Sequence, residues 1–297
     1  MKKWIQATAA SLSIMGMLAA GAAVSAAPQK PTQVYIDGEL QKDVLTVKQR
    51  TMVQLKAFND PANLTYSYEQ ATKTIVIVNK TNKTTVRLKS GATTAEVNGK
   101  SVKLDAPVTI KDGRTYLPLR FISETLGGVL KYSTTDKSVI VRTPSGEERF
   151  NILMHGDLAK AREIAIHYPK TYAGKEIQAS GEGYTFAYTF PKGEALRFEY
   201  QYKGLINYTE INQDGIAVVK WQNDSYGSNG EVGTRHEAFG ESVYFTKHLM
   251  LDKNVYGTID SQGKSTELGF TDYSSNKDLA DVMIMPIDGE VRTDQQK

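Results

Sequence analysis

The chain of 297 residues contains no cysteine, and it has only two tryptophans and four histidines. Without cysteine it can form no disulfide bond, no thiolate metal site, no cysteine nucleophile and no lipid attachment through a cysteine. Function classes that depend on thiol chemistry are therefore excluded. A secreted chain of this composition must be held together by packing alone, which domains of more than ~100 residues can achieve.

Long apolar runs are also scarce, and the clearest one lies near the amino terminus. Lys2 and Lys3 precede an apolar stretch that ends in small residues near Ala26. This order is typical of a cleaved secretory signal. A retained membrane anchor is the alternative, but polar residues such as Gln6 dilute the stretch. We predict a signal peptide over residues 1–26, a secreted protein and no transmembrane segment after cleavage.

The formal net charge of +3 conceals two parts of opposite sign. Residues 27–145 contain 18 Lys and Arg against 10 Asp and Glu, a net charge of +8. Residues 146–297 contain 16 against 23, a net charge of −7. We predict a domain boundary at this change of sign, where residues 143–148 form a short polar break.

A repeat with an offset of 64 residues is the most informative pattern in the first part. Residues 50–78 align without a gap with residues 114–142, so that RTMVQLK returns as RTYLPLR. Each copy predicts a strand, a short helix and a second strand. The first copy lacks the glycine pair that ends the helix of the second, so its helix should be shorter or irregular. Asp37-Gly38 and Asn98-Gly99 predict a tight hairpin ahead of each copy.

The second part, residues 146–297, has mainly the pattern of β-strands. Asp157 can cap a single helix that runs from Leu158 to about Tyr168. Aromatic residues then alternate with polar ones, which predicts a hairpin whose aromatic face packs into the core. We therefore predict an α+β protein: an N-terminal two-repeat domain of antiparallel strands with short helices, then a mainly antiparallel β domain with one helix. Strands of the second domain are predicted at 184–190, 198–202, 205–211, 216–221, 243–250, 255–259, 266–270 and 282–287.

The second copy of the repeat carries a long motif that resembles a known domain family. Residues 113–127, GRTYLPLRFISETLG, are similar to the copper amine oxidase N-terminal-like domain of secreted Gram-positive bacterial proteins. This module is also called the stalk domain, and the similarity covers about residues 34–142. The resemblance implies a module that projects or positions another domain and has no catalytic residues of its own.

The resemblance does not extend to copper amine oxidase chemistry. Copper amine oxidases hold that chemistry in a separate large domain, with a quinone made from an Asn-Tyr-Asp/Glu motif and a His-x-His copper pair. In this chain Thr209 follows Asn207-Tyr208 where an acid is required, and the four histidines form no His-x-His pair. We predict no copper oxidase activity, no metal site and no cofactor.

Candidate site residues are few, and no Gly-x-Ser-x-Gly nucleophile motif is present. Trp221 and Tyr226 flank a Gly- and Asn-rich loop and are the candidates for stacking against a sugar ring. His236, Glu237 and His248 are the candidates for an acid/base or metal site that the fold assembles. An ordinary structural position is the more common role for residues of these kinds.

These patterns favour a binding protein over an enzyme. We predict a secreted, non-catalytic, cell-wall-associated or surface protein, whose stalk-like domain displays a C-terminal binding domain for a protein or glycan partner. The charge of residues 27–145 is either a solvated surface or an attraction for an anionic wall polymer. Nucleic acid is not expected, because a signal peptide takes the chain away from it. The alternative is an extracellular hydrolase with its site in the C-terminal domain.

Overall fold

The part of the chain before residue 143 is built from short strands in three small sheets. The structure is a computed structural model that describes residues 32–133, 137–227, 230–272 and 282–295, so the predicted signal peptide lies outside the described residues. The strands are β1 (Gln33–Ile36), β2 (Glu39–Leu40), β3 (Leu45–Val47), β4 (Arg50–Gln54), β5 (Leu64–Glu69), β6 (Thr74–Asn79), β7 (Thr85–Lys89), β8 (Thr94–Val97), β9 (Lys100–Lys103), β10 (Thr109–Lys111), β11 (Arg114–Pro118), β12 (Val129–Ser133) and β13 (Ser138–Arg142).

The three sheets have the strand orders β12-β13-β1-β2, β10-β11-β4-β3 and β5-β6-β7-β8-β9. The pairing of β1 with β13 is parallel and the others are antiparallel. The two predicted hairpins are present as β1–β2 and β8–β9, with positive φ at Asp37-Gly38 and at Asn98-Gly99. Both turn positions of a type I′ hairpin need positive φ, which Asp, Asn and Gly tolerate.

Two strands that lie 64 residues apart in the sequence pair with each other. β4 and β11 are antiparallel, and Val53 lies opposite Leu117 at the centre of their register. Both side chains are buried in the main core of this part. The helices that follow these strands differ: Leu55–Ala57 is one turn of 3₁₀ helix, whereas α1 spans Leu119–Thr125. The expectation of a shorter helix in the first copy is confirmed.

The rest of the described chain forms two helices and one large sheet. The sheet order is β14-β18-β17-β16-β15-β20-β21-β22, with β19 paired to β18, and all pairs except β14–β18 are antiparallel. The elements are α2 (Pro144–His155), α3 (Leu158–His167), β14 (Lys170–Tyr172), β15 (Thr185–Pro191), β16 (Arg197–Tyr202), β17 (Leu205–Ile211), β18 (Ala217–Asp224), β19 (Gly230–Gly233), β20 (Ser242–His248), β21 (Lys253–Ile259) and β22 (Ser265–Asp272).

The prediction of one helix in this part is wrong, because two helices are present. α3 begins where expected, with the Asp157 side chain accepting from the Lys160 N–H. The predicted polar break at 143–148 is instead the first turn of α2. The Thr143 hydroxyl accepts a hydrogen bond from the Gly146 N–H, and Pro144 occupies the first helical position. These polar residues therefore cap and begin a helix, where the sequence had suggested a loop.

The aromatic face of the β15–β16 hairpin packs into the core, as predicted. Phe186, Phe190 and Phe198 are buried together with residues of both helices. The rings of Phe186 and Tyr202 stack at a centroid distance of 4.2 Å. The helices therefore cover one face of the large sheet, and we call the opposite face the outer face.

The predicted strand at 282–287 is wrong, because this stretch has no regular secondary structure. Residues 282–295 instead run across the helices and the sheet, held by side chains. Glu290 forms a two-bond ion pair with the buried Arg162 of α3, with N···O distances of 2.6 and 2.7 Å. Asp294 accepts from the N–H groups of Ala195 and Leu196. The stretch is held by its charged side chains and not by pairing with a neighbouring strand, because each of them forms more than one charge-assisted hydrogen bond.

The described residues from 32 onward belong to one compact unit. The β17–β18 turn contacts the first part directly, since Lys131 pairs with Asp214 at 2.6 Å and Arg142 donates to the Asp214 carbonyl at 3.0 Å. Asp60 accepts from the N–H and hydroxyl of Ser145 at the start of α2. The domain boundary near residue 145 stays a prediction. No helix within the described ranges has the length and apolar character needed to cross a membrane.

Replacement of Glu290 by Ala is expected to lower the free energy of unfolding by about 3 kcal/mol or more. The side chains of Arg162 and Glu290 are 1% and 4% exposed, so the variant leaves a buried cation without its partner. Urea unfolding measures the change. Lys160→Gln is the matched control, because its ion pair with Glu163 on the same helix is exposed. An equal effect of the two variants would contradict the proposed importance of the buried pair.

Asp60→Asn is expected to destabilise the protein by about 1–3 kcal/mol near neutral pH. Burial acts to raise the pKa of Asp60, but hydrogen bonds from Ser145 and Asn63 outweigh it and hold the pKa below 3.8. The carboxylate therefore contributes stability above that pH, and this stability is lost as the pH falls and the group is protonated. Urea unfolding at a series of pH values should show the difference shrinking below about pH 4. A constant difference across the acidic range, or an equal one for the exposed Asp112→Asn, would refute this assignment.

Candidate functional site

An aromatic cluster lies on the outer face of the large sheet. Tyr208 of β17 is opposite Glu199 of β16 on one side and Trp221 of β18 on the other. Directly opposed residues of neighbouring strands point to the same face. Tyr208 and Trp221 are each 3% exposed, although they lie on the face away from the helices. Something other than the helices must therefore cover them.

The cover is the segment between β19 and β20, residues 234–240. The His236 ring stacks on Tyr208, with ring centroids 3.9 Å apart and planes 23° apart. The Phe239 ring lies 4.8 Å from the His236 ring, and the Trp221 ring meets His236 edge-on at 5.9 Å. These separations are those of packed aromatic pairs. Residues 234–240 therefore form a lid, in which the rings of His236 and Phe239 cover the rings of Tyr208 and Trp221.

Both nitrogens of His236 face groups that accept hydrogen bonds. Nε2 lies 2.8 Å from Glu199 Oε1, and Nδ1 lies 2.6 Å from the carbonyl oxygen of Glu237. A carboxylate and a carbonyl only accept, so both ring nitrogens are engaged by acceptors of the protein itself. In this geometry neither nitrogen is left to take a proton from a substrate. His236 therefore serves as a clamp for the lid and is poorly placed as a general base.

Trp221 is held from several sides. Its indole N–H donates to the carboxylate of Glu231. The guanidinium of Arg235 lies over the indole ring at 5.4 Å from the centroid, a cation–π contact. The faces of the indole are therefore closed to a sugar as long as residues 234–240 remain in place. The sequence prediction of a sugar site at Trp221 would need the lid to lift.

The Tyr208 hydroxyl is held in its neutral form. Its hydroxyl donates to Glu210 Oε1 at 2.8 Å. Burial raises the pKa of the Tyr208 phenol well above its usual range, and the hydrogen bond to Glu210 raises it further. A phenol in this state remains neutral at physiological pH.

The other predicted enzyme residues lie apart from this cluster. His248, at the end of β20, contacts the hydroxyls of Thr185 and Thr246 at 3.1 and 3.3 Å. Its place in the register is two strands and four residues away from Glu199, which corresponds to about 16 Å. Glu237 is exposed and touches His236 through its backbone carbonyl. The structure does not bring His236, Glu237 and His248 together, and the described ranges contain no group of three His, Asp or Glu that could hold a metal.

A second candidate surface lies at one end of the large sheet. β15, β20 and β21 are neighbours in the sheet and reach this end at Thr185, His248 and Lys253, and β18, three strands from β15, reaches it at Asp224. The side chains just beyond these positions are large, apolar and exposed. We call them the apolar tip: Tyr184 (52% exposed), Tyr226 (74%), Met250 (74%) and Leu251 (65%).

The loop that carries Tyr226 is fixed by hydrogen bonds. Asp224 Oδ1 accepts from the N–H of Gly227 at 3.1 Å, and Asp224 Oδ2 accepts from the Ser180 hydroxyl at 2.7 Å. Ser225 donates to the carbonyl of Gly204 in the neighbouring turn. The exposed ring of Tyr226 therefore lies within residues 224–227, which these bonds hold in place, and this lowers the entropy lost when a partner covers it.

Sequence reasoning found some of these residues and missed others. It named Trp221, Tyr226 and His236, but it considered Tyr208 only as part of a failed quinone motif. The sequence pattern gave no signal for it, since Tyr208 alternates with the polar Asn207 and Thr209, and it is these two that face the core beside Tyr200 and Phe198. The apolar tip had no signal, because it is formed by turns that are distant in sequence.

Comparison with known proteins gives one match. Residues 35–141 match the family described as the copper amine oxidase N-terminal domain. The match covers less than half of the chain and ends before α2 begins. Neither the curated proteins nor the solved structures give a match to the chain.

His236→Ala is expected to uncover Trp221. Loss of the ring stack and of the contact with Glu199 should free the lid, so that tryptophan emission shifts to longer wavelength and acrylamide quenching increases. A chain that starts at residue 27 has Trp221 as its single tryptophan, so the signal is specific. Glu237→Ala, which alters only an exposed side chain of the same segment, should leave emission unchanged. Unchanged emission in His236→Ala would show that the lid does not depend on this clamp.

Proposed function

We propose that the chain, in which residues 35–141 form a copper amine oxidase N-terminal-like domain, is a non-catalytic binding protein. In this proposal the N-terminal domain, with its two repeats, supports and positions the C-terminal part. The C-terminal part binds a partner through the apolar tip. The protein acts outside the cell, in association with the cell wall, after removal of residues 1–26.

The observation that carries this proposal is the exposure of the apolar tip. Four large apolar side chains from three separate turns lie exposed at one end of one sheet. Burial of each such side chain in an interface contributes about 1.5–3 kcal/mol. Several large apolar side chains exposed at the same end of one sheet are characteristic of interaction sites, since they serve no purpose in the packing of the protein itself.

The composition of the apolar tip favours a protein partner over a glycan. Met250 and Leu251 have no flat face for a sugar ring, whereas Met and aromatic residues are enriched in protein interfaces. Tyr184 and Tyr226 are compatible with either kind of partner. A protein attached to the cell wall is therefore the favoured partner, and a wall glycan is the second choice.

The geometry of the aromatic cluster supports a non-catalytic role. His236 has both ring nitrogens engaged, and His248 lies about 16 Å from Glu199, the partner of His236, at ordinary strand spacing. A His–carboxylate pair that activates a nucleophile needs a free nitrogen beside it. The cluster is instead well suited to stabilise the outer face of the sheet whose end carries the apolar tip.

Replacement of Met250 and Leu251 together by Ser is expected to reduce cosedimentation with purified Gram-positive cell walls by about tenfold or more. The substitutions remove the aliphatic contacts while leaving exposed turn positions that tolerate a polar residue. Walls treated with protease should retain less of the unchanged chain, because the favoured partner is a protein. Tyr226→Ser should weaken retention on the untreated walls.

The control is Ile110→Ser, which removes an equally exposed apolar side chain, 55% exposed, from the N-terminal part. It should leave retention unchanged. Retention of the Met250/Leu251 variant at the level of the unchanged chain would rule out the apolar tip as the binding surface. Full retention on protease-treated walls that is lost in Tyr226→Ser would identify a glycan partner instead.

A further inference from the structure

The N-terminal part contains two clefts that are related by the sequence repeat. Because Val53 and Leu117 are 64 residues apart and lie opposite each other, the β4–β11 pair has a local twofold relation between the two copies. One cleft is lined by residues 113–115 and 54–56. The other is lined by residues 49–51 and 118–120, which are the same positions shifted by 64. Each cleft therefore combines the strand start of one copy with the strand end of the other.

The two clefts share the same arrangement of charges. The first has Arg114, paired with Asp43 at 2.8 Å, and the second has Arg50, paired with Asp105 at 3.1 Å. Both arginines remain about half exposed, at 50% and 52%. Each Asp contacts one edge of the guanidinium and leaves other N–H groups free to donate.

A second cation lies in each cleft. Lys56 and Arg120 occupy matching positions, are exposed and form no ion pair with any residue that the structure describes. Each cleft is thus net positive by one charge, in a part of the chain whose sequence carries a net charge of +8. The field around both clefts attracts anions.

Each cleft also has an apolar wall. Tyr66 and Leu55 line the first cleft, and Leu130, Tyr132 and Leu119 line the second. The cleft volumes are 560 Å³ and 320 Å³, large enough for one unit of a polymer but open to solvent. A ligand with a carbon backbone can pack against the apolar wall of each cleft, and an anionic group on that backbone can pair with the cations.

We propose that the two clefts together bind one anionic polymer, with one phosphate or carboxylate of the chain in each cleft. The carboxylates of Asp43 and Asp105 oppose an anion, so a single cleft binds weakly. The clefts lie at opposite ends of the β4–β11 pair, about 20 Å apart by the rise of six strand residues. A long chain that reaches both gains affinity through effective concentration, whereas a small anion does not. This inference extends the wall association in the proposed function and does not involve the apolar tip.

The test measures binding of residues 27–297 to long-chain poly(glycerol phosphate), to polygalacturonate and to glycerol phosphate by isothermal titration calorimetry. Lys56→Gln and Arg120→Gln should each reduce the affinity for the long polymer by about tenfold or more. The double variant should bind little worse than either single variant, because bridging is already lost. Glycerol phosphate should bind weakly to all of these chains, with changes of about twofold or less. The polymer that binds more tightly identifies the anionic group as phosphate or carboxylate.

The matched control is the double variant Lys100→Gln/Lys103→Gln, which removes two exposed charges from β9 that are not among the residues lining either cleft. It should change the affinity for the polymer by no more than about twofold. An equal loss in this control would overturn the inference in favour of diffuse charge attraction, and so would equal affinity of the unchanged chain for polymer and monomer. The cleft variants should keep the part of wall retention that depends on Met250 and Leu251. The wall test of the apolar tip and the polymer test of the clefts can therefore fail independently of each other.

Discussion

The side chain of Arg142 connects the parts of this structure that would otherwise be separate. It is 4% exposed and lies at the end of β13, the last strand of the N-terminal part. Its guanidinium covers the ring of Phe150 on α2 at 3.4 Å, pairs with Glu147 at 3.2 Å and donates to the carbonyl of Asp214 in the large sheet. A buried guanidinium is stable only where its donors meet acceptors, so this one group contacts both α2 and the β17–β18 turn and joins them to β13.

Because of this connection, the N-terminal part supports the C-terminal part through direct contacts and not through a flexible linker. A flexible stalk would let the C-terminal part move freely, but Arg142 and the Lys131–Asp214 pair join the two parts directly. In the first copy of the repeat, the position that matches Arg142 is Val78, which lies within the sheet β5-β6-β7-β8-β9. The repeat is therefore used asymmetrically. One copy completes a sheet, and the other ends in a cation that anchors the next part of the chain.

In the C-terminal part, charged side chains likewise hold segments that are not paired into the large sheet. The helices cover one face, and the ion pair between Arg162 and Glu290 holds residues 282–295 across them. On the outer face, His236 clamps a lid over two aromatic rings. With no disulfide available, these buried charge-assisted hydrogen bonds fix irregular segments in place. The turns at the apolar tip are left exposed, and they provide the surface on which the proposed binding depends.

Features that depend on residues close together in the sequence were predicted correctly more often than features that depend on contacts between distant residues. Local signals were sufficient for the two Asx-Gly hairpins, the start of α3 at Asp157 and the strand alternation around Phe186, and the structure confirms each of them. α2 was missed because its first turn, Pro144 to Glu147, has the same polar composition as a loop. Residues 282–287 were predicted as a strand because their apolar content does not reveal the ionic contacts that follow them in sequence.

The sequence by itself determined the family match of residues 35–141, the largely β character of the chain, the absence of thiol chemistry and the lack of a copper oxidase motif, because each of these depends on residues close together in the chain. The tertiary structure decided which residues meet. It separated His236 from His248, covered Trp221, gathered Tyr226 with Met250 at one end of the sheet and formed two matching clefts about the β4–β11 pair. These outcomes depend on strand order and register, which are set by packing between segments that are distant in sequence and therefore leave no local pattern.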